Sequence, residues 1–396
     1  MMQELPRRIA FTLGALLVYR LGTHIPVPGI NYLPGISRSF VRLSIFSLNI
    51  IPYISVAILV QLVLLVWPRL YARANGGERG RRTIARYTLG LTMILTAFQA
   101  FGVAQALQRV PGLVSDPGGL FLVSTTLTLL GGTVFLIWLS EQITVRGIGN
   151  GLALILATGI VAELPYAIAN TLELGRQGAL SGERIALIAI LSLAMAGLIV
   201  FMELARRNLP VQFVARNLRG RLVPAQSSCL SLKLNNAGMI PAIVAPWAFL
   251  PITFLAGAFG GTSPWLTAAF RQFDWGHPGH MICSTLAVIL LAFIYTALVV
   301  DPERAADSLN EHGGVIPGIM PGEPTAEHLD RVVSRTTFVG AIYLAAIFLI
   351  PEVLIAYAQV PFFLGGAPVL IVVCAVLDIE RQVRDMSLTK PGGAYS

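Results

Sequence analysis

Few residues in this sequence combine the type and the spacing that chemistry requires. His277 and His280 lie three positions apart at the end of an apolar segment, and such a pair could supply part of a metal site. The acidic residues Glu163, Glu352 and Asp378 also lie near the ends of apolar segments, whereas proton- or ion-coupled carriers usually place acidic groups in mid-membrane. Because two histidines without further ligands are more often structural, we expect neither a metal nor a cofactor.

The sequence also lacks the motifs of common nucleotide and metal enzymes. It contains no G-x-x-x-x-G-K-S/T loop for ATP phosphates and no H-E-x-x-H pair for catalytic zinc. No apolar segment carries a Ser/His pair or paired aspartates of the kind used in nucleophilic or acid–base catalysis. We therefore expect no catalytic residues, and the energy for any transport must come from a partner.

The composition indicates a membrane protein. Of the 396 residues, 55% are hydrophobic and only 12% are charged, against about 25% charged in average soluble proteins. The three cysteines, Cys229, Cys283 and Cys374, are odd in number and widely spaced, which excludes a small disulfide-stapled scaffold. Any functional residue must therefore be positioned by membrane-spanning helices, each of about 20 apolar residues.

Ten apolar segments predict ten transmembrane helices. Their approximate bounds are 8–26, 45–67, 86–107, 119–141, 150–170, 184–203, 237–257, 281–300, 336–358 and 361–379. Two connections, 204–236 and 301–335, are long and polar. Long connections are usually functional or disordered, so these two are either a docking surface for a soluble partner or plain solvated linkers.

The basic residues predict the orientation of the chain. Most of the 28 arginines and lysines lie at the two ends of the sequence and in every second connection, with clusters in 68–86 and 204–236. Positively charged connections remain on the cytoplasmic side of a membrane. We therefore expect an even number of spans, with both termini and both long connections in the cytoplasm.

Six stretches, in the same order along the chain, resemble the SecY family, whose members are the central subunits of the Sec protein translocation channel. The R-G-I-G-N-G turn at 146–151 is the most specific feature among them. Together the stretches extend over most of residues 7–385; they are 13–31, 44–62, 141–165, 223–245, 295–352 and 361–378.

The resemblance implies a fold and a function. The fold is an all-α integral membrane protein with ten transmembrane helices in two pseudo-symmetric five-helix halves, forming an hourglass channel. The N-terminal half is 1–175, with a shortened plug segment at 29–43, and the C-terminal half is 176–396, with docking loops 204–236 and 301–335. The function is a protein-conducting channel of the bacterial inner membrane, which passes unfolded secretory chains across the membrane and membrane segments sideways into it.

In this family a ring of aliphatic side chains closes the pore at its waist. The matching positions are Ile50, Ile54, Leu152, Leu156, Ile243 and Ile371. Within each of the first two pairs the spacing is four residues, so both members face the same side of a helix. A narrow apolar collar excludes ions by dewetting, and it can deform around a polypeptide without breaking fixed hydrogen bonds. Without the resemblance, each residue would pass as an ordinary packing or lipid-facing residue.

The resemblance also implies a lateral gate between the second and seventh spans. Pro52 and Pro241 lie near the ring in these two spans, where each removes a backbone donor. Polar side chains that could hydrogen-bond across the seam are Ser55, Gln61, Asn235 and Asn236. Because such bonds are typically worth about 0.6 kcal/mol in a membrane, a signal sequence could part the two helices.

Partners are implied on both the membrane and the cytoplasmic side. They are SecE-like and SecG-like small membrane subunits, the SecA motor or the ribosome, the signal sequences of secretory and membrane proteins, and the lipid bilayer. Arg219 and Arg221 in the first docking loop could contact phosphates or acidic groups. Each arginine could equally serve only to set the topology.

The sequence departs from the family pattern at two places. The segment 29–43 is too short for a normal plug helix, so we expect a leakier resting channel. Met320 stands in a G-I-x-P-G turn where the family usually has arginine, and a methionine cannot make a bidentate charged contact. Coupling to the motor through this turn is therefore in doubt.

Two other function classes compete with a channel. A small-solute secondary transporter with five-plus-five inverted repeats would need a polar substrate site in mid-membrane. A membrane enzyme would need a buried nucleophile or a set of metal ligands. The sequence offers neither feature, so a channel remains the favoured interpretation.

Overall fold

Long helices dominate the computed structural model, which describes residues 4–31, 43–67, 69–71, 77–213, 216–218, 221–223, 226–249, 255–256, 263–358 and 365–388. The helices are α1 (Glu4–Gly22), α2 (Ile51–Val66), α3 (Glu78–Gln108), α4 (Gly119–Arg146), α5 (Gly151–Arg176), α6 (Gly182–Leu204), α7 (Ile240–Val244), α8 (Pro264–Arg271), α9 (Pro278–Val299), α10 (Pro302–Glu311), α11 (Glu323–Ala358) and α12 (Gly366–Leu388). A 3-10 turn, Ala245–Phe249, follows α7 directly.

Six helices within these ranges are long and apolar enough to cross a membrane. They are α3, α4, α5, α6, α9 and α11. The remaining four predicted spans coincide with α1, α2, α12 and the short helix α7. Helix α2 has only 16 residues, whereas α1 and α12 carry charged residues such as Arg8 and Arg384. The apolar runs therefore predicted where helices form, although their lengths differ from the regular span of about 20 residues.

The exposed side chains of these helices include many large apolar residues, as expected for contact with lipid. Phe98, Leu193 and Leu286 expose 75%, 74% and 60% of their surface, respectively. In water such faces would be unfavourable, but hydrocarbon tails solvate them as well as protein does. Where α3 packs against α4, small and hydroxyl residues such as Thr92 and Thr125 are buried instead. Close packing of small residues is typical of membrane helices.

The chain forms two compact units. One comprises Met1–Leu164 with Ala375–Ser396, and the other comprises Pro165–Cys374. A buried cluster of the second unit lies among α6, α7, α9, α11 and α12, and includes Ile199, Val288 and Leu344. The division of the sequence into five-helix halves at 175/176 stays a prediction.

The first long polar connection is a β-hairpin. Strands β1 (Arg206–Phe213) and β4 (Gln226–Lys233) pair antiparallel, from Arg206 opposite Lys233 to Phe213 opposite Gln226. Between them, β2 (Arg216–Leu218) and β3 (Arg221–Val223) also pair antiparallel. A two-residue strand from the second connection, β5 (Gly314–Val315), pairs with the end of β1, so the sheet order is β4-β1-β5.

This sheet has a hydrophobic core of its own. Leu209 and Val211 of β1 pack with Ala306 of α10 and with Leu329 and Val332 at the beginning of α11. Alternate residues of β1 face this core, as expected for a strand with one solvated side. The two connections, which the sequence left open as a docking surface or as solvated linkers, therefore form one folded layer.

Helix α2 begins later than the apolar pattern predicts. The predicted span starts at 45, but residues 45–50 form turns and the helix starts at Ile51. Asn49 has a left-handed backbone with φ of +53°, and Pro52 lies in the first helical turn. A left-handed residue cannot continue a right-handed helix, and proline fits best at a helix start. The helix therefore begins six residues after the approximate start that the apolar pattern predicts.

Candidate functional site

The structure places the six predicted ring residues at the beginnings of four helices. Ile50 is the N-cap of α2 and Ile54 lies one turn later. Leu152 and Leu156 occupy the first turns of α5. Ile243 lies in α7 and Ile371 in α12.

The ring residues differ in their exposure. Ile50 is fully buried, and Ile54, Leu156 and Ile371 expose less than a tenth of their surface. Leu152 and Ile243 are half-buried. None of the six is therefore among the exposed residues of the described chain.

Helices α2 and α7 begin with the same local geometry, although they belong to different units. Asn49 and Gly238 are both left-handed, with φ of +53° and +61°. The next residue caps the helix in a right-handed conformation and is followed in both cases by Ile-Pro. Two positions after each proline comes a ring residue, Ile54 or Ile243.

This repeat could have been recognised from the sequence, but only as a weak signal. The segments N-I-I-P-Y-I (49–54) and G-M-I-P-A-I (238–243) share three identities in six residues. Asparagine and glycine are the residues that adopt left-handed backbone most readily, so the two segments agree in conformational preference as well. The sequence analysis paired the two prolines but missed the left-handed residues before them.

The beginning of α2 is fixed by polar contacts within the first unit. The side-chain carbonyl of Asn49 accepts a hydrogen bond from the backbone N–H of Ile50 at 2.8 Å. A Cβ atom added at Gly159 of α5 would lie 2.9 Å from the Tyr19 hydroxyl and 3.9 Å from the Asn49 amide. Residues from α1, α5 and the turn before α2 therefore meet next to the Ile50 and Ile54 pair.

The R-G-I-G-N-G turn fixes the beginning of α5. The Thr12 hydroxyl of α1 accepts from the N–H of Ile148 at 2.9 Å, and the Gln382 side chain accepts from the N–H of Gly149. The Thr144 hydroxyl of α4 accepts from the N–H of Gly151 at 2.9 Å. Hydrogen bonds from α1, α4 and α12 thus converge on one turn, which sets the position of Leu152.

Two glycines in this turn have no room for a side chain. A Cβ at Gly151 would collide with the backbone carbonyl of Ser140, and one at Gly147 would collide with the Thr12 hydroxyl. Asn150 completes the turn, because its side-chain oxygen accepts from the N–H of Leu152 at 3.0 Å and so caps α5. The motif is therefore explained by close backbone packing and by helix capping.

The predicted gate residues make the following hydrogen bonds. The Asn235 amide donates to the buried carboxylate of Glu203 at 2.6 Å, and its carbonyl accepts from the N–H of Gly238 at 3.1 Å. The Asn236 amide donates to the Thr336 hydroxyl at 3.3 Å. These bonds connect parts of the second unit and shape the start of α7.

The two gate residues on α2 differ from each other. The Ser55 hydroxyl donates to the Ile51 carbonyl at 2.6 Å within its own helix. Gln61 is exposed. The expectation that all four residues hydrogen-bond between the second and seventh spans stays a prediction.

Two of the three predicted docking residues, Arg221 and Met320, lie in the connections between the long helices. Arg219 falls outside the described residues, whereas Arg221 begins β3 and pairs through its backbone with Leu218. Met320 exposes 77% of its surface and lies between two glycines with left-handed backbone, Gly318 and Gly322. Its carbonyl accepts a hydrogen bond from the Thr325 hydroxyl at 2.8 Å, so the turn is ordered while the methionine side chain is free to meet a partner.

Most of the predicted plug segment, residues 32–42, falls outside the described residues. The residues on either side are anchored. Pro26 pairs with Ser44 and Ile30 pairs with Val114, each through an isolated β-bridge. The N–H of Val27 donates to the Leu43 carbonyl at 3.1 Å. The ends of this segment are therefore held close to each other.

One of the two histidines makes a contact of another kind. His280 is bound to Glu352, and no group of three or more metal-ligating side chains lies together there. The sequence analysis noted both residues but not their contact. A single sequence gives no signal for a pairing across 72 positions.

Comparison with known proteins shows similarity to SecY proteins over nearly the whole chain. The profile of the SecY family matches residues 44–379. The protein translocase subunit SecY of Escherichia coli K12 is 42% identical, covering 98% of this chain and 92% of the relative. The protein translocase subunit SecY of Vibrio cholerae is 41% identical, covering 97% of this chain and 92% of the relative.

Solved structures show a similar fold. A SecY protein whose plug domain was described as stabilising the closed channel superimposes with a TM-score of 0.71 at 18% identity. It covers 99% of this chain and 95% of its own. Canine Sec61, solved in a ribosome–channel complex, gives a TM-score of 0.63 at 15% identity, with the same shares of the two chains covered.

Proposed function

Because the chain belongs to the SecY family, we propose that its six ring residues form the seal of a protein-conducting channel. The protein is a translocase channel subunit with a SecY-like all-α membrane fold, and it is not an enzyme. The single observation that carries the proposal is the matched beginning of α2 and α7, where Ile54 and Ile243 follow the same left-handed residue and Ile-Pro pair.

The chemistry of the six residues suits a seal. Each is an isoleucine or a leucine, so a collar made from them offers no hydrogen-bond partner to water or to ions. A narrow apolar constriction dewets and excludes ions without a charged gate. The same side chains can yield to a threading polypeptide by changing rotamers, since aliphatic contacts are weak individually and not directional.

Crosslinking to a translocating chain tests the seal. A photoreactive amino acid at Leu152 or at Ile243 is expected to crosslink to a secretory chain stalled in the membrane. Leu193, which exposes 74% of its surface on α6, provides the control and is expected to crosslink to lipid only. Equal crosslinking from Leu193, or none from both ring positions, would contradict the proposal.

Lateral opening is the second part of the proposed mechanism. The beginnings of α2 and α7 are the elements that move apart when a signal sequence binds, and Asn235 and Asn236 hold the second of them through Glu203 and Thr336. Hydrogen bonds of this kind in membranes are typically worth about 0.6 kcal/mol each. A signal sequence that adds apolar contact with both helices can therefore offset their loss.

The folded layer formed by β1 to β5 and α10 is the proposed docking surface. The exposed Met320 belongs to this surface, and Arg219 and Arg221 of the first connection are proposed to contribute to contact with a cytoplasmic partner, either the SecA motor or a ribosome. The structural relative Sec61 was solved in a ribosome–channel complex, which supports the general assignment. SecE-like and SecG-like subunits would complete the channel within the bacterial inner membrane, with both termini in the cytoplasm.

The short plug segment has a mechanical consequence under this proposal. Its ends are tied together by the Pro26–Ser44 bridge, so only a short stretch of chain is left to cover the pore. The collar must then supply most of the barrier to ions. We expect a resting conductance above that of a relative with a full plug helix, measured in planar bilayers.

A further inference from the structure

The hydroxyl of Tyr343, in the middle of α11, has no role in the channel function described above. The side chain is only 5% exposed, and its hydroxyl has no hydrogen-bond partner among the described residues. The large majority of buried side-chain polar atoms in proteins are hydrogen-bonded, because a buried donor without an acceptor is costly. A donor that is idle in this conformation is therefore available to an acceptor in another one.

Helix α11 lies directly against the segment before α7 at this point. A Cβ atom added at Gly340 would lie 2.8 Å from the Leu234 carbonyl oxygen and 3.3 Å from the Cα atom of Asn235. Tyr343 follows Gly340 by three positions, so both residues share one side of the helix. The Tyr343 side chain also belongs to the same buried cluster as Ala237. It therefore lies beside the turn from which α7 begins.

The same cluster connects Tyr343 to the end of α6. The buried residues of α6 are Met195, Ile199 and Glu203, which are spaced by four and form one face. Met195 and Ile199 pack in the cluster that contains Tyr343. Glu203, at the end of this face, is 5% exposed and interacts electrostatically with the Tyr343 phenol. A buried acceptor and an idle donor are therefore neighbours.

Glu203 receives a hydrogen bond from the turn before α7. The Asn235 amide donates to the Glu203 carboxylate at 2.6 Å and to the Gly238 carbonyl at 3.2 Å. The Asn235 side-chain carbonyl accepts from the N–H of Gly238 at 3.1 Å. Asn235 and Gly238 thus form a closed turn, which moves with α7 as one body. A displacement of α7 away from α6 must therefore break the bond between Asn235 and Glu203.

Loss of that bond alone would be unfavourable. A buried carboxylate that loses a charge-assisted donor is left with an uncompensated charge. Because a carboxylate has about four acceptor positions, the bond from Asn235 leaves room for a second donor. The Tyr343 phenol is suited to this role because it lies on α11 and not on the segment that moves with α7.

We propose that Tyr343 replaces Asn235 as the donor to Glu203 when α7 moves during lateral opening. In the resting channel Asn235 donates and the Tyr343 hydroxyl is idle. In the opened channel Tyr343 donates and Asn235 leaves with α7. The carboxylate keeps a donor in both states, so opening leaves no buried charge uncompensated. Tyr343 and Glu203 are thus positioning residues for the gate, and this assignment rests on the proposed function as a channel with a lateral gate.

The variant Y343F tests the exchange because it removes the hydroxyl and keeps the ring. The channel complex is reconstituted in liposomes, and translocation into the vesicles is measured for two precursors that differ in signal hydrophobicity. We expect Y343F to slow the weak-signal precursor about thirtyfold, the factor for one hydrogen bond to a charged group. The strong-signal precursor should slow less, since its signal gains more apolar contact in the open gate.

Thermal unfolding in detergent separates this role from a merely structural one. The melting temperature of Y343F should be unchanged or higher, because the substitution removes a buried donor that has no acceptor in the resting channel. Transport and stability should therefore change in opposite senses, whereas a packing defect would lower both.

Two further variants provide the controls. Tyr295 of α9 packs on the same cluster, and Y295F should leave both translocation rates unchanged. E203Q removes the charge that requires a donor but keeps an acceptor for Asn235. In the E203Q background Y343F should slow the weak-signal precursor only about fivefold, since a hydrogen bond to a neutral group is worth less. The double-mutant cycle of Y343F and E203Q measures this coupling.

Three results would overturn the exchange while leaving the channel function intact. A lower melting temperature of Y343F would show that the hydroxyl is already bonded in the resting channel. An unchanged weak-signal rate would show that the hydroxyl is not used during opening. Equal slowing by Y343F with and without E203Q would show that Glu203 is not its acceptor. An unmodified chain that translocates neither precursor would instead overturn the proposed function, and the gate assignment of both residues with it.

Discussion

The imidazole Nδ1 of His280 lies 2.5 Å from the carboxylate Oε1 of Glu352, and this pair joins three elements of the second unit. The two side chains are only 15% and 6% exposed. The N–H of Gly276 donates to the same carboxylate oxygen at 3.2 Å. The Phe249 ring, in the turn after α7, stacks on the imidazole with ring centroids 4.3 Å apart. The beginning of α9, the end of α11 and the chain after α7 are therefore joined at one point.

Removal of Glu352 should destabilise this junction strongly. We expect Glu352→Ala to lower the free energy of unfolding by about 3 kcal/mol, because a buried pair leaves its partner groups unsatisfied when one member is deleted. Glu352→Gln should lose less, since its carbonyl can still accept from Gly276. Thermal unfolding in detergent measures the difference. The control Glu173→Gln, in an exposed pair with Arg176, should leave the transition unchanged. An equal loss of stability in Glu352→Ala and in the control Glu173→Gln would contradict the assigned role of Glu352.

The R-G-I-G-N-G turn should tolerate no side chain at Gly151. Gly151→Ala places a methyl group on the Ser140 carbonyl, and overpacking of this kind costs about 1–3 kcal/mol. We expect a lower melting temperature and reduced translocation, because Leu152 shifts with the turn. Gly131→Ala in α4 meets no atom within 4 Å and serves as the control. It should be neutral or slightly stabilising, since alanine favours helix. Normal behaviour of Gly151→Ala would mean that α4 and α5 can move apart.

The left-handed residues before α2 and α7 should be sensitive to backbone preference. Gly238 has open space around it, so Gly238→Ala changes little except the cost of a positive φ, about 1–2 kcal/mol. At the equivalent position, Asn49→Gly should retain the conformation, whereas Asn49→Val should destabilise α2. Melting temperatures of the three variants test this order. If Asn49→Val were as stable as Asn49→Gly, the left-handed turn would not be a structural requirement.

Polar substitution in the collar should raise ion leakage. Ile54→Ser introduces a hydroxyl where dewetting requires an apolar surface, so resting conductance in planar bilayers should increase several-fold. The control lies on the same helix: Leu59 exposes 57% of its surface, and Leu59→Ser should leave the conductance unchanged. Equal conductance of the two variants would argue that Ile54 does not line the pore.

Restoring the charge at Met320 should strengthen coupling to a motor. Because Met320 is 77% exposed in an ordered turn, Met320→Arg should leave the melting temperature unchanged. A single charge-assisted contact is worth about 1.5–3 kcal/mol, so motor-dependent transport should rise about tenfold if only that contact is absent. Met320→Leu, which adds no charge, should have no effect. No gain from the arginine would indicate that this turn does not meet the motor.

The helices could be predicted from the sequence because a bilayer demands long apolar runs, and these runs are visible without any tertiary information. The apolar pattern extended the second span further toward the N-terminus than α2, and Pro52 was not used to place the helix start. The strands of the hairpin were missed because residues 204–236 are polar overall and Pro210 argues against a strand. Pro210 is tolerated because β5 pairs only with Gln212 and Phe213 of β1.

The residues of the candidate site could be assigned from the sequence, but the contacts between them could not. The resemblance assigned the six collar positions residue by residue, and that assignment stays a prediction. It said nothing of the Asn235–Glu203 or His280–Glu352 contacts, which join residues 32 and 72 positions apart. Such pairings depend on how helices pack, and a single sequence holds no record of that arrangement.

Helix α11 has a mechanical property that follows from its length. It runs for 36 residues, about 54 Å at 1.5 Å per residue. Leu329 and Val332 near its beginning pack against the β-sheet. Glu352 near its end contacts His280 of α9. A continuous helix resists compression and bending, so it behaves as a rod. A push on the sheet at one end must therefore displace the opposite end too, unless the rod flexes at Pro351.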